Sequence, residues 1–470
     1  MYTPPPNAFY YIALFVIWPL VAYKLSKRYS IEKSVILLFL IPYLFLPVPH
    51  STLTPIKLPL LPPLDKEVVP ILVALILIHL KKIKIEYLPR FRISVLFCLA
   101  LLFAPFMTVF SNMDPLVFPT RTIPGLKFTE ALSIFVAVYV KIYVPFVIGY
   151  SVLGGNKAHE EFVKLIFALG LLYSLLMLYE VRMSPQIHRD IYGYFPHDWR
   201  QQLRAGGFRP VVFLGHGLLV ALYGCFAAVA AFVLWRNNHP IVKGKGLFLV
   251  LYFCLVLVLC KTYSAIIYFM VFAALSIFLG VRFRLHAMSA IAILVLFYPL
   301  IRGFLPLSEI TEFFMGLNPE RASSLQFRFD NEDALLAKAN ERPYFGWGTW
   351  GRNRIFNPAT GEDVSVTDGE WIVNYGVFGW LGYFGLMGLI AYPVIVLKRV
   401  LNNKNEQECS SYTLALAMIL MILLIDQIPN ASLNYVSYLL AGALLARAKS
   451  LAEFKAEPAP DVRKRKHRTE

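Results

Sequence analysis

Residues 246–281 read GLFLVLYFCLVLVLCKTYSAIIYFMVFAALSIFLGV, an almost unbroken apolar run of 36 residues. A helix of that length would extend about 54 Å, whereas the hydrocarbon layer of a bilayer is about 30 Å thick. A polar cluster, Lys261-Thr262-Tyr263-Ser264, lies near the middle of the run. The run therefore predicts two membrane-spanning helices joined by a short turn at residues 261–264.

The whole chain has the same apolar character. Hydrophobic residues make up 58% of its 470 residues and charged residues 16%, whereas soluble globular proteins have roughly 45–50% and about 25%. This composition excludes a soluble multidomain protein, a disordered chain and a disulfide-stapled secreted module. We therefore predict an all-α, polytopic membrane helical bundle of about 12–13 transmembrane helices. The thirteen expected spans are 8–23, 34–49, 67–80, 93–110, 132–153, 164–180, 210–235, 246–260, 263–281, 287–301, 370–397, 411–428 and 434–446.

Lysine and arginine predict the orientation of this bundle. If loop 24–33 is cytoplasmic, 27 of the 45 Lys and Arg residues fall in cytoplasmic segments and 17 in the longer outer segments. Such an excess is typical of cytoplasmic loops. We therefore expect an outer N-terminus and a cytoplasmic C-terminus. The net charge of +16 then reflects topology and attraction to anionic lipid headgroups rather than binding to nucleic acid.

The expected spans divide the chain into four regions. Both long loops lie on the outer side, and long loops without a folded domain of their own are usually functional. An active site is therefore expected on the outer face. The regions are a transmembrane bundle 1–301 with the outer loop 181–209, a large outer loop 302–369 containing short helices, C-terminal transmembrane helices 370–446, and a disordered basic cytoplasmic tail 447–470.

Outer loop 181–209 is rich in arginine and ends in RQQLRAGGFRP at residues 200–210. A helix is expected to begin here with Pro210 in its first turn. Helix N-termini and arginines both attract anions such as phosphate, so Arg204 and Arg209 are candidate ligands of an anion. Alternatively, these arginines anchor the chain at lipid headgroups. His216 is expected two turns into the membrane, where it either contacts substrate or makes an interhelical contact.

Loop 302–369 contains PYFGWGTWG at residues 343–351, which formally includes G-x-G-x-x-G. A dinucleotide-binding motif would need a preceding strand and a following helix, and neither is predicted. We expect instead a short helix opening at residues 308–311, a second helix over 323–340, and then a tight turn at the membrane surface. The ring of Trp347 would be available there for stacking on sugars.

Two carboxylates, Asp368 and Glu370, precede the span 370–397 and are candidate general bases. Each also suits the start of a helix, Asp368 as an N-cap and Glu370 near the positive helix end. Ionisable groups within a membrane usually face a cavity or a partner. Lys261 and Tyr263, at the outer turn of the hairpin, and Lys141, in mid-span, are therefore candidate substrate contacts, although Lys141 could instead pair with a carboxylate.

Several of these segments, in the order in which they occur along the chain, resemble the bacterial O-antigen polymerase and ligase superfamily. Its members are integral-membrane glycosyltransferases of the GT-C type. No metal-binding motif accompanies them, so neither a metal nor a cofactor is expected. The resemblance covers most of the chain. It is carried by residues 58–66, 204–208, 262–264, 328–348 and 368–371.

This resemblance implies that an oligosaccharide is transferred from an undecaprenyl-pyrophosphate carrier to a sugar hydroxyl at the outer face of the bacterial inner membrane. Asp368 or Glu370 would accept the proton of that hydroxyl. Membrane lipid surrounds the protein, and a chain-length regulator and a flippase of the same pathway are implied partners. The residues expected to bind the pyrophosphate are Arg204, Arg209, Arg328 and Lys261.

Three functions remain open at this stage. Ligases of the superfamily carry a histidine where this chain has Asp368 and Glu370, and family members often carry an arginine at the position of Ala265. These differences favour a polymerase over a ligase that transfers to a lipid or protein acceptor. A non-enzymatic flippase usually shows internal repeats and charges spread through the midplane, and the sequence shows no such repeat.

Overall fold

A computed structural model of the chain describes residues 4–50, 56, 58–204, 206–305, 307–317, 319–402 and 409–453. Over these residues the protein is an all-α helical bundle, as predicted. The helices are α1 (Ala8–Arg28), α2 (Ile31–Phe45), α3 (Val68–Leu80), α4 (Arg92–Phe110), α5 (Phe128–Val152), α6 (Asn156–Met183), α7 (Ile187–Tyr192), α8 (Gly217–Arg236), α9 (Gly246–Leu259), α10 (Tyr263–Phe278), α11 (Val281–Leu296), α12 (Tyr298–Ile301), α13 (Leu307–Leu317), α14 (Pro319–Asn340), α15 (Glu370–Asn402), α16 (Ser411–Asp426) and α17 (Tyr435–Glu453).

The structure describes a multi-pass membrane protein. Among the described residues, six helices are long and apolar enough to cross a membrane, namely α1, α4, α5, α6, α8 and α15, and the bent segment that starts with α11 makes a seventh if it is one span. Four more apolar helices, α3, α9, α10 and α16, are shorter. A helix coincides with each of the thirteen expected spans, while the number that crosses the bilayer stays a prediction.

The hairpin predicted from residues 246–281 is present. Helix α9 ends at Leu259 and α10 begins at Tyr263, so the chain turns at residues 260–262. Lys261 has a φ of 53° in this turn, a left-handed conformation that single turn residues adopt. The polar cluster therefore lies at one end of the bundle.

The turns on each side of α8, α10, α15 and α17 define two ends of the bundle. We call the end at which these four helices begin the site face, because the two loops expected to be functional lie there. Two antiparallel ribbons of two strands each lie on this face. One pairs β1 (Leu116–Val117) with β2 (Thr122–Ile123), and the other pairs β3 (Leu203–Arg204) with β4 (Gly207–Phe208). The two short helices predicted in loop 302–369 are also present, as α13 and α14.

Close backbone contacts between helices fix the geometry beneath this face. A methyl group added at Gly149 of α5 would lie 2.0 Å from the carbonyl oxygen of Leu439, and one at Gly442 of α17 would lie 1.9 Å from that of Phe146. Small residues allow membrane helices to approach in this way. Helices α5 and α17 are therefore held as one unit.

One predicted region is partly wrong. Residues 447–453 continue α17 and include buried positions, so the disordered tail does not begin at residue 447. Leu451 packs in the core and Lys449 pairs with Glu86 at 2.6 Å, which keeps this segment helical. Residues 454–470 of the predicted tail lie outside the described residues.

Exposed positions at the two ends of the bundle test the predicted orientation. Ala359 lies on the site face and Lys243 lies in the turn between α8 and α9 at the other end; both are exposed. We expect Ala359→Cys to react with a membrane-impermeant maleimide in intact spheroplasts, and Lys243→Cys only after permeabilisation. Background is low because four of the five native cysteines are buried. Labelling of Lys243→Cys alone before permeabilisation would place the site face in the cytoplasm.

Candidate functional site

Helix α8 does not begin where the sequence predicts. The helix begins at Gly217 rather than near Pro210, and residues 209–216 are irregular. The reason is Glu180, near the end of α6, which is buried. Its Oε2 accepts the backbone N–H groups of Val211 (2.7 Å) and Val212 (2.8 Å). A carboxylate that binds these N–H groups replaces the helical hydrogen bonds that the segment would otherwise need.

Glu180 was missed by the sequence analysis. Its other oxygen, Oε1, accepts the N–H groups of Gln186 (3.1 Å) and Ile187 (2.9 Å), so one carboxylate holds two loop segments together. An acidic residue near the end of an apolar span is an available signal, because such residues are rare in membrane helices and usually have a defined partner. Its role here is to position the loop that carries Arg209.

Arg209 is a buried cation without a counter-charge in the part of the chain that the structure describes. The residue is 3% exposed, and its Nη2 donates to the Thr262 hydroxyl at 2.9 Å. Its Nε has no hydrogen-bond partner, and no carboxylate among the described residues pairs with it. Burial lowers the pKa of Arg209 to about 10, and the positive charge of Arg204 adds to the shift. Because an unpaired buried charge is costly, the arrangement suits an anionic ligand.

Further positive groups surround Arg209. Lys261 donates from Nζ to the backbone carbonyl of Arg204 at 3.1 Å, which brings the hairpin turn against the β3–β4 ribbon. Arg204 itself is exposed. Together Arg204, Arg209 and Lys261 form what we call the cationic cluster. The structure thus brings together three of the four residues expected to bind the pyrophosphate.

The N-terminus of α8 points into the cationic cluster. A methyl group added at Gly217 would lie 3.2 Å from Nε of Arg209 and 3.0 Å from Oε1 of Gln202. Like that Nε, the Gln202 Oε1 is buried and has no partner in the described chain. The positive end of the 20-residue helix α8 adds to the attraction for an anion.

His216 is the N-cap of α8 rather than a residue two turns inside it. Its Nδ1 accepts the N–H of Leu218 at 3.1 Å, and its ring packs against His197 with the centroids 4.8 Å apart. Burial lowers the pKa of His216 to about 4, with further lowering by His197, Arg209 and Arg204. His216 is therefore neutral near pH 7 and serves as a structural cap in a region of positive potential.

Asp368 and Arg328 form an ion pair. Nε of Arg328 lies 3.4 Å from Oδ2 of Asp368, and both side chains are partly exposed. Asp368 is not the N-cap of α15, because the helix starts at Glu370 and the carbonyl of Gly369 accepts its first hydrogen bond, from Val373 N at 3.3 Å. Arg328, expected at the pyrophosphate, is thus held by the carboxylate that was expected to be the base.

Glu370 differs from Asp368 in having no such partner. Its backbone N–H donates to the carbonyl of Asn430 at 3.1 Å, while Trp371 N donates to that of Gln427 at 3.3 Å. Its half-buried carboxylate makes no ion pair or side-chain hydrogen bond to any residue described. An unpaired carboxylate is a better proton acceptor than one that is bound to a guanidinium.

Helix α10 connects the two groups of residues. It begins beside Thr262, with Tyr263 60% exposed, and one turn later the hydroxyl of Tyr268 donates to Asp426 at 3.2 Å. Asp426 directly precedes the turn that binds the backbone of Glu370. The cationic cluster and Glu370 therefore lie on the same site face.

Trp347 is not available for stacking on sugars. It is 6% exposed, and its ring is covered by Nζ of Lys338 at 3.5 Å and the guanidinium of Arg342 at 4.4 Å from the centroid. The expected tight turn is present, with Gly346 and Gly348 at positive φ. In the same motif, Trp350 is 70% exposed and Tyr344 71% exposed, so these two rings could contact a ligand.

Lys141 has carboxylate partners, one of the two alternatives considered for it. Its Nζ lies 2.7 Å from Oε2 of Glu67 and 3.6 Å from Oδ2 of Asp65. Asp65 in turn accepts the N–H groups of Glu67 and Val68 through Oδ1 and so caps α3. Lys141 lies in a π-helical stretch of α5, Tyr139–Tyr143.

Comparison with known proteins does not assign this chain to a family. No protein-family model and no curated protein sequence matches the chain. Among the described residues, no group of three or more His, Cys, Asp or Glu side chains is placed to hold a metal ion.

Proposed function

We propose that the chain is a membrane glycosyltransferase, a polysaccharide polymerase that takes oligosaccharide from an undecaprenyl-pyrophosphate donor and adds it to a sugar hydroxyl at the outer face of the bacterial inner membrane. The observation that carries the proposal is the buried guanidinium of Arg209, which has no counter-charge among the described residues. A pyrophosphate on a lipid carrier lies at the depth of a helix end, where this cation is held.

The cationic cluster supplies what a pyrophosphate leaving group needs. Arginine binds phosphate oxygens through two parallel N–H bonds, and Arg209 has an N–H group without a partner. Lys261 and Arg204 add positive charge beside it. Fixed positive charges aimed at the place where negative charge develops stabilise the transition state. In the proposed mechanism they do so without a metal ion.

Glu370 is the base in this proposal. The acceptor hydroxyl oxygen attacks the anomeric carbon of the donor sugar and its proton passes to the Glu370 carboxylate. The bond between the anomeric carbon and the pyrophosphate oxygen breaks, and the electron pair leaves with undecaprenyl pyrophosphate. Asp368, paired with Arg328, is the second candidate and otherwise positions the loop before α15.

A carboxylate rather than a histidine at the entrance of α15 supports polymerase over ligase. As a polymerase, the chain would receive donor from a flippase and act with a chain-length regulator of the same pathway.

Glycan analysis of a strain that lacks this protein tests the proposal. We expect single repeat units on the final acceptor and no long chains. Long chains that stay on the lipid carrier would indicate a ligase, and repeat units trapped on the cytoplasmic side would indicate a flippase. A strain with unchanged glycans would refute all three functions.

A further inference from the structure

The first part of α15, residues 370–378, is a separate helical segment. Gly379 interrupts the helix with φ 61° and ψ −162°, a conformation that only glycine adopts readily. The loop before α15 fills this break, where the N–H of Trp380 donates to the carbonyl of Pro343 at 2.7 Å. The segment that begins with Glu370 therefore depends for its position on contacts at both of its ends.

The turn between α16 and α17, residues 427–434, holds the other end of this segment. The carbonyl of Asn430 accepts the N–H of Glu370 at 3.1 Å, one of the first N–H groups of a helix, which have no partner within the helix. A methyl group added at Gly369 would lie 2.1 Å from the carbonyl oxygen of Ile428. The turn is thus in direct contact with the backbone that carries Glu370.

One carboxylate, that of Asp426, connects this turn to α10. Its Oδ1 accepts the side-chain N–H of Asn430 at 2.9 Å and the hydroxyl of Tyr268 at 3.2 Å. The backbone carbonyl of Asp426 also accepts the N–H of Asn430 at 2.9 Å. Asn430 is therefore bound to Asp426 by two hydrogen bonds and to Glu370 by a third.

The burial of Asp426 is costly for a residue that only shapes a turn. Asp426 is 4% exposed, and no cation among the described residues pairs with its carboxylate. The turn also has bonds of its own, since the buried Gln427 donates to the Ser432 hydroxyl at 2.8 Å and accepts the N–H of Ser432 at 3.1 Å. What Asp426 adds is a charge-assisted link, stronger than a neutral one, from the turn to the helix that begins beside the cationic cluster.

We propose that Asp426 is a positioning residue, which acts through Asn430 to hold Glu370 at a fixed place relative to the cationic cluster. Asp426 itself does not contact substrate. The inference rests on the proposed function, in which Glu370 receives the proton of the acceptor hydroxyl while the pyrophosphate leaves toward the cationic cluster. Both groups act in one step, and a misplacement of about 1 Å can lower a rate roughly 10²-fold.

Single-turnover transfer from a purified lipid-linked donor measures the effect of this link. We expect Asp426→Ala to lower the rate roughly 10²-fold and Tyr268→Phe to lower it roughly tenfold, the equivalent of one hydrogen bond to a charged group. The donor concentration that gives half of the maximal rate should stay the same, because Arg209 is untouched. Asp426→Asn, which keeps an oxygen that accepts hydrogen bonds, should recover part of the rate lost in Asp426→Ala.

The matched control is Tyr252→Phe. It removes a hydroxyl that bonds to Ser174 at 2.8 Å, between α9 and α6, and should transfer at the rate of the wild type. If Asp426→Ala does not accumulate as folded protein, Tyr268→Phe gives the same comparison through the loss of one hydroxyl. Normal transfer by Tyr268→Phe would overturn the link through α10.

Combination with Glu370→Gln separates positioning from a general loss of structure. If Asp426 acts through Glu370, Asp426→Ala should cause little further loss in a protein that already lacks the base. Independent effects of the two substitutions would multiply instead. Multiplied losses would overturn the inference.

Hydrogen exchange of the backbone amides gives a readout that does not depend on activity. We expect Asp426→Ala to speed the exchange of the Glu370 and Trp371 amides at least tenfold, and Tyr252→Phe to leave it unchanged. Unchanged exchange in Asp426→Ala would overturn the positioning role whatever the reaction is. Failure of the wild type to transfer sugar from the lipid-linked donor would overturn the proposed function instead.

Discussion

Replacement of Arg209 by methionine is expected to abolish polymer formation without loss of folded protein. Methionine fills a similar volume without charge, and removing a buried cation that lacks a counter-charge can leave stability unchanged or raise it. Loss of the pyrophosphate contact should lower the rate roughly 10²–10³-fold, the usual effect of removing one oxyanion donor. Chain length on gels and the Tm of the purified protein measure the two effects.

Arg352 provides the matched control for Arg209. It is fully buried, but its guanidinium donates to the carbonyls of Trp347 (3.2 Å), Pro124 (3.0 Å) and Asp114 (2.9 Å). Arg352→Met should therefore lower the Tm, since each buried carbonyl left unpaired costs about 1–3 kcal/mol. A similar fall in Tm for Arg209→Met would mean that Arg209 is also structural, and normal polymer from that variant would remove it from the site.

Arg209→Lys separates charge from geometry. Lysine keeps the positive charge but lacks the planar fork that binds two phosphate oxygens. We expect it to restore little of the activity lost in Arg209→Met. Full activity would show that only the positive charge matters at this position.

Hydropathy was sufficient to predict the bundle because it is a local property. The hairpin in residues 246–281 follows from the length of one apolar run and the four polar residues within it. The two helices of loop 302–369 were likewise visible in their own segments. Neither prediction required knowledge of which helices are neighbours.

The candidate site depended on contacts between distant segments, which a single sequence does not contain. The start of α8 is moved to Gly217 by Glu180, which binds the N–H of Val211 from 31 positions earlier in the chain, and Lys141 pairs with Glu67, 74 positions earlier. Trp347 and Trp350 stand three residues apart in one glycine-rich turn, yet only Trp350 is exposed. Residue type indicated that these positions matter, and packing determined what each one does.

Substitutions at Glu370 and Asp368 can show which of the two carboxylates is the base. Glu370→Gln keeps the size of the side chain and its hydrogen-bonding capacity but removes the proton acceptor. If Glu370 is the base, the rate should fall roughly 10²–10⁴-fold, the usual contribution of general base catalysis. Expression should stay normal, because the carboxylate makes no ion pair within the described chain.

Asp368→Asn is the neighbouring control and should have a small effect. It breaks a partly exposed ion pair with Arg328, and such pairs contribute about 0–1 kcal/mol to stability. Single-turnover transfer from a purified lipid-linked donor gives the rate of each variant. A large loss in Asp368→Asn with normal transfer by Glu370→Gln would make Asp368 the base. Arg328 would then act by positioning that carboxylate through the ion pair, and Arg328→Ala should reproduce the loss.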